Sequence, residues 1–107
     1  MPFQVLDLSL AVIRHLSRPL ERVRRSDPKL YDQIRRAASS VALNLSEGRH
    51  RQGKDRQHLF RVAAGSASEL RTALQVAQAW GELDLNAVRV ALVLLDRVAA
   101  MLWRLTH

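Results

Sequence analysis

Cysteine is absent from all 107 residues, which excludes disulfides and thiolate-bound metal, so the fold must hold by its apolar core. The length suits one domain, read as residues 1–107, and a domain of this size buries roughly two-thirds of its unfolded surface without staples. Only five aromatic side chains are present: two Trp, two Phe and one Tyr. Proline and glycine are also scarce, at three and four, and most of them punctuate helices. No segment alternates apolar and polar residues as a half-buried strand would. A long uninterrupted apolar run is missing too. Residues 87–105 come nearest, but Asp96 and Arg97 sit at their centre, each costing about 2.5–3.5 kcal/mol in mid-bilayer. The first residues carry no basic leader or small-residue cleavage site, and Asp7 interrupts their apolar pattern. The expectation is therefore no signal peptide, no membrane span and a cytoplasmic location.

Basic residues are plentiful, and they are unevenly placed. Residues 14–61 hold 13 Lys/Arg against 5 Asp/Glu, whereas residues 62–107 hold four of each sign. The whole excess of +7 lies in the first half of the chain, a distribution that suits an anionic partner such as nucleic acid. Arginine outnumbers lysine 15 to 2, and its planar fork suits bidentate phosphate contacts.

Apolar spacing of three and four predicts four helices, at about 3–24, 28–47, 55–80 and 86–105. In the first, Phe3, Leu6, Leu10, Ile13, Leu16 or Ser17, Leu20 and Val23 form one stripe. Pro19 should kink or interrupt it, because proline lacks an amide hydrogen and clashes with the preceding turn. Asp27-Pro28 is a strong start for the second, whose core face is Ile34, Ala38, Val41 and Leu45 and whose stop is Gly48. Asp55 is the expected cap of the third, which carries Leu59, Val62, Ser66, Leu70, Ala73, Ala77 and Trp80 before Gly81. Asn86 is the expected cap of the fourth. Short connections favour antiparallel neighbours, so the fold class is all-α, an up-and-down four-helix bundle.

Small residues gather where the second and third helices should meet: Ala37, Ala38, Ser39, Ser40 and Ala42 against residues 63–68. Gly65 costs about 1 kcal/mol of helix propensity relative to Ala, for which close packing would compensate. A polar stripe of Gln33, Arg36 or Ala37, Ser40, Asn44 and Glu47 should face Ser66 and Glu69 across this pair. It reads as a partly buried hydrogen-bonded seam that sets register, with Arg36 coupled to Glu69. The fourth helix is apolar nearly all round. Beyond one core face it keeps Val90, Val93, Leu94, Met101 and Trp103, which points to a subunit contact and a homo-oligomer.

Patterns resembling catalytic ones lack their context. Gly48, Gly53 and Lys54 match the spacing of a phosphate-binding loop, but Asp55 replaces the magnesium-binding hydroxyl and a helix rather than a strand precedes. Glu47 and His50 make half of a di-metal motif, once, at a helix end. No nucleophile gathers a base and an orienting acid. The chain is read as a non-enzyme with no metal and no cofactor.

The residues Tyr31-Asp-Gln-Ile-Arg-Arg-Ala-Ala-Ser-Ser-Val41, then Asn44-Leu-Ser-Glu-Gly48, then Ala64-Gly-Ser66 with Glu69-Leu70 resemble a known family. It comprises small four-helix-bundle proteins encoded in intervening sequences of large-subunit ribosomal RNA genes, and the accessory variability protein of diversity-generating retroelements is similar to them. The resemblance spans about residues 27–80. It implies a barrel-like homopentamer with a basic, nucleic-acid-binding surface and, in the retroelement branch, a reverse transcriptase partner. Lys29 departs from the acidic residue common before the tyrosine.

Two functions fit these residues. The first is an oligomeric accessory protein that binds the RNA or DNA backbone without sequence preference, through a rim of Arg35, Arg49, Arg51, Lys54, Arg56 and Arg61. Only Tyr31 and Phe60 are aromatics near that rim, so stacking looks poor. The second is a structural adaptor whose basic rim docks an acidic protein.

Overall fold

The computed structural model describes residues 3–107, so the first two residues of the expected 1–107 domain lie outside the described residues. The described residues form five α-helices: α1 (Gln4–Leu16), α2 (Glu21–Ser26), α3 (Pro28–Arg49), α4 (Gly53–Ala79) and α5 (Arg89–Thr106), with a turn of 3-10 helix at Leu85–Val88 before α5. No strand occurs among them. The long axis of 42 Å matches α4, whose 27 residues rise about 1.5 Å each.

The expected first helix is divided at Pro19 into α1 and α2. Leu20 N–H still donates to Leu16 O and Glu21 N–H to Arg18 O, so the chain keeps turning through the break. The face that α1 buries also differs from expectation. Val5, Ser9, Val12 and Leu16 are buried, Leu6 and Ile13 half-buried, and Leu10 exposed. Both stripes have helical spacing; packing against α5 and α3 selects the one containing serine. Ser9 tolerates burial because its hydroxyl donates to Val5 O at 2.8 Å.

Asp27 caps α3 by accepting from Leu30 N–H at 3.2 Å, with Pro28 in the first turn. The helix runs through Gly48, the expected stop, to Arg49. Gly48 is the close-approach glycine of the molecule. A Cβ there would lie 2.7 Å and 2.9 Å from the Phe60 ring. Gly65, where tight packing was expected, is exposed, and a Cβ on it would meet nothing within 4 Å. The small buried side chains of this helix pair are Ala37, Ala38, Ala42, Ala63 and Ala67 instead.

Gly53, at φ 60°, opens α4 after the extended Gln52, so the expected cap Asp55 lies inside the first turn, where its charge favours the positive helix end. Gly81, at φ 74°, ends α4. Its N–H donates to Gln78 O and Glu82 N–H to Ala77 O, the left-handed closure that glycine permits. Trp80, expected in the core, is 73% exposed because it is the last residue before this reversal. Asp84, not Asn86, caps the next turn, accepting from Asn86 N–H at 2.9 Å. Leu95, Val98 and Leu102 of α5 close the core with Ile34, Leu45, Leu70 and Leu74.

The α4–α5 connection buries one carboxylate oxygen without a donor, Oε2 of Glu82. Burial, and the Asp27 carboxylate beside it, push the Glu82 carboxyl above its ordinary value of 4.5. A carboxyl whose folded pKa is raised keeps its proton in the folded state longer than in the unfolded one. Stability should therefore fall as pH rises from 4.5 through the elevated value, then level off. Glu82→Gln should remove that decline and raise the melting temperature at neutral pH. Parallel melts of both proteins across pH check this, and identical pH dependence would count against it.

Candidate nucleic-acid interface

The α3–α4 turn places most of the expected basic residues at one end of the molecule. Here α3 ends and α4 begins with three residues between them, so the cationic side chains of 49–61 project from two adjoining helix ends. Arg56 folds back over α3, its Nε donating to Gly48 O at 3.3 Å and its Nη2 to Arg49 O at 3.2 Å. Those carbonyls belong to the negative end of the helix dipole, which a guanidinium stabilises. Arg51 pairs with Glu47 at 2.6 Å, both half-exposed, a contact worth less than about 1 kcal/mol. The Arg49 guanidinium lies 5.2 Å over the Phe3 ring, and that ring stacks on Phe60 at 6.1 Å. Lys54 and Arg61 border an open groove with Gly53, Arg56 and Gln57. Arg49, Lys54 and Arg61 form no ion pair among the described residues.

Arg35 does not belong to this rim. It lies 14 positions before Arg49, about 21 Å along the helix, and its Nη1 donates to the Tyr31 hydroxyl at 3.5 Å. It borders a separate apolar cavity at the α1–α2 break, with Ile13, Leu20, Tyr31 and Ile34. The far end of the molecule also carries Arg14, Arg18, Arg22, Arg24, Arg25 and Lys29. There they share space with Glu21, Asp27, Asp32, Glu82 and Asp84, and Arg24 pairs with Glu21 at 2.8 Å. Net positive charge is thus concentrated at the α3–α4 turn.

The polar stripe contracts to three residues. The Ser40 and Ser66 hydroxyls meet at 2.7 Å, and Asn44 Nδ2 donates to Ser40 O and Oγ at 2.8 Å and 3.0 Å. Short side chains meet only where backbones approach closely, so these residues record the α3–α4 register. Gln33, Arg36 and Glu69 are exposed on the flanks of the same groove. The expected Arg36–Glu69 pair is not formed within 4.0 Å, because both project outward where water solvates them. Glu47 turns to Arg51 instead.

On α5, Val90, Val93 and Trp103 are 53%, 56% and 61% exposed. Leu94 and Met101, expected to be surplus, are half-buried against the core. The helix packs on both α1 and α4, so its buried belt is wider than a single face.

The last turn of α5 also returns to the basic end, a placement that the apolar spacing does not predict. Gln57 Nε2 donates to Leu105 O at 3.0 Å, bringing Trp103, Arg104 and His107 beside the start of α4. The antiparallel order of α4 and α5 was the signal that would have found them.

Among the described residues no three His, Asp or Glu side chains gather to hold a metal. Gly48 and Lys54 lie on two helices joined by a turn, not on a phosphate-binding loop after a strand. No described helix is long and apolar enough to cross a membrane. A family model described as 23S rRNA-intervening sequence protein matches residues 4–104. No curated protein matches the chain.

Proposed function

Because the chain belongs to the 23S rRNA-intervening sequence protein family, we propose that it is a non-enzymatic, oligomeric accessory protein that binds nucleic-acid backbones through the α3–α4 end. The observation that carries this reading is the cluster of Arg49, Lys54 and Arg61 without carboxylate partners, flanked by Arg51 and Arg56. Exposed cations unopposed by acids attract phosphate and read no sequence. The chain acts in the cytoplasm as an antiparallel up-and-down four-helix bundle, with α1 and α2 together serving as one of the four. Five copies form a barrel, repeating the basic end around a ring and adding avidity. RNA or DNA is the ligand, and a neighbouring reverse transcriptase gene would assign the chain to the retroelement branch.

A titration against RNA, duplex DNA and heparin at several salt concentrations tests the ligand. On duplex DNA the log–log slope should be about −0.9 for each phosphate neutralised. Binding no tighter than a control protein of equal net charge, at physiological salt, would favour a structural adaptor for an acidic protein.

Val90 and Val93 are the most exposed large aliphatics of α5 and supply the subunit contact. Light scattering should return about five times the 12.1 kDa chain mass. Val93→Asp should reduce that mass while helical content persists, because Val93 is no part of the core. A wild-type monomer at micromolar concentration would remove the oligomer from this reading.

A further inference from the structure

The basic end carries an aromatic platform. Trp103 and His107 stack in parallel, with ring centroids 4.5 Å apart and an interplanar angle of 10°. With one indole face under the imidazole, Trp103 still keeps 61% of its surface exposed. Its location is set by the Gln57–Leu105 hydrogen bond. That bond ties the last turn of α5 to the residue that borders a common groove with Lys54 and Arg61.

We propose that Trp103, backed by His107, is a stacking site for an unpaired base of single-stranded nucleic acid whose phosphates lie on Lys54 and Arg61. The inference rests on the backbone-binding role assigned above and names the strand form preferred. A groove lined by cations attracts the polyanion. An exposed indole at the same end of the molecule then accepts any base, because every base has a π-face. Duplex bases are already stacked on one another and cannot use it. Val90 and Val93 lie ten or more residues earlier on α5, at least about 15 Å along the helix, so the platform is separate from the aliphatic patch.

Trp80 is the only other tryptophan, and it lies at the far end of α4. In a Trp80→Phe background, fluorescence therefore reports Trp103 alone. Titration with a twelve-nucleotide single strand, RNA and DNA in separate arms, should quench this emission to saturation, whereas a blunt duplex of the same length should quench it far less. Trp103→Ala should weaken single-strand binding by about tenfold or more, the scale of one lost base stack, and change duplex affinity less than about twofold. Trp103→Phe should recover part of the loss. Equal weakening for single strand and duplex, or no weakening while wild-type protein binds with a steep salt dependence, would overturn the stacking site and leave the backbone reading intact. Failure of wild-type protein to bind any nucleic acid would overturn both. A fall in particle mass with Trp103→Ala would assign Trp103 to the subunit contact and also overturn the site.

Discussion

Reversing Arg49, Lys54 and Arg61 together to glutamate should weaken nucleic-acid binding on the order of 100-fold at low salt, taking about 1 kcal/mol for each exposed charge-assisted contact. The new acidic groups repel phosphate, so the loss should exceed that of the matching alanine variant. The salt slope on duplex DNA should flatten by about 2.7 if each residue neutralises one phosphate. All sequences should be affected alike, because backbone contacts carry no base information. The structure decides which arginines to reverse. Arg56 is unsuitable, since its guanidinium caps the Gly48 and Arg49 carbonyls, and Arg56→Glu would leave both without that donor. Arg51 is already partly neutralised by Glu47. Salt-dependent binding measurements on a variant with unchanged circular dichroism check the prediction. Undiminished affinity would move the phosphate contacts elsewhere on the chain.

Alanine at the two helical glycines should have opposite effects on stability. At either, alanine brings a helix-propensity gain of about 1 kcal/mol. At Gly65 nothing opposes it, since the added methyl meets no atom within 4 Å, and the melting temperature should rise. At Gly48 the methyl would intrude on the Phe60 ring at 2.7 Å and on Leu59 Cβ at 3.3 Å. Phe60 is buried and stacked against Phe3, so it cannot swing aside into solvent. Overpacking of this kind costs about 1–3 kcal/mol, which at its upper end exceeds the propensity gain by about 2 kcal/mol. With roughly 4–8 °C for each kcal/mol in a domain near this size, Gly48→Ala should melt several degrees below wild type and Gly65→Ala several above. Thermal melts monitored at 222 nm separate the outcomes. A rise with both variants would mean that the α3–α4 turn relaxes around the methyl and that the close approach is not what requires glycine.

The apolar spacing of the sequence determines that the described chain is helical, and its boundaries follow from short-range chemistry. Asp27-Pro28 and Gly81 act on groups within a few residues of themselves, so their consequences are legible locally. The buried face of α3, which includes Ile34, Ala38, Val41 and Leu45, is legible for the same reason: no rival stripe of large apolar residues shares that helix. The concentration of positive charge before residue 62 is a property of composition alone. In α1, two overlapping stripes satisfy helical spacing equally well, and only packing against α3 and α5 chooses Val5, Ser9 and Val12 over Leu10. In α5 the width of the apolar belt matches its two neighbours, which is why Leu94 and Met101 join the core. Spacing along the chain predicts a helix end at Gly48 and a close contact at Gly65. Which glycine faces a ring across the turn depends on the relative rotation of two helices, and spacing along one helix carries no information about that angle. Arg35 leaves the rim, while Trp103 joins the end that carries Lys54 and Arg61, because proximity between residues 14 or more positions apart is set by helix length and docking rather than by position in the chain.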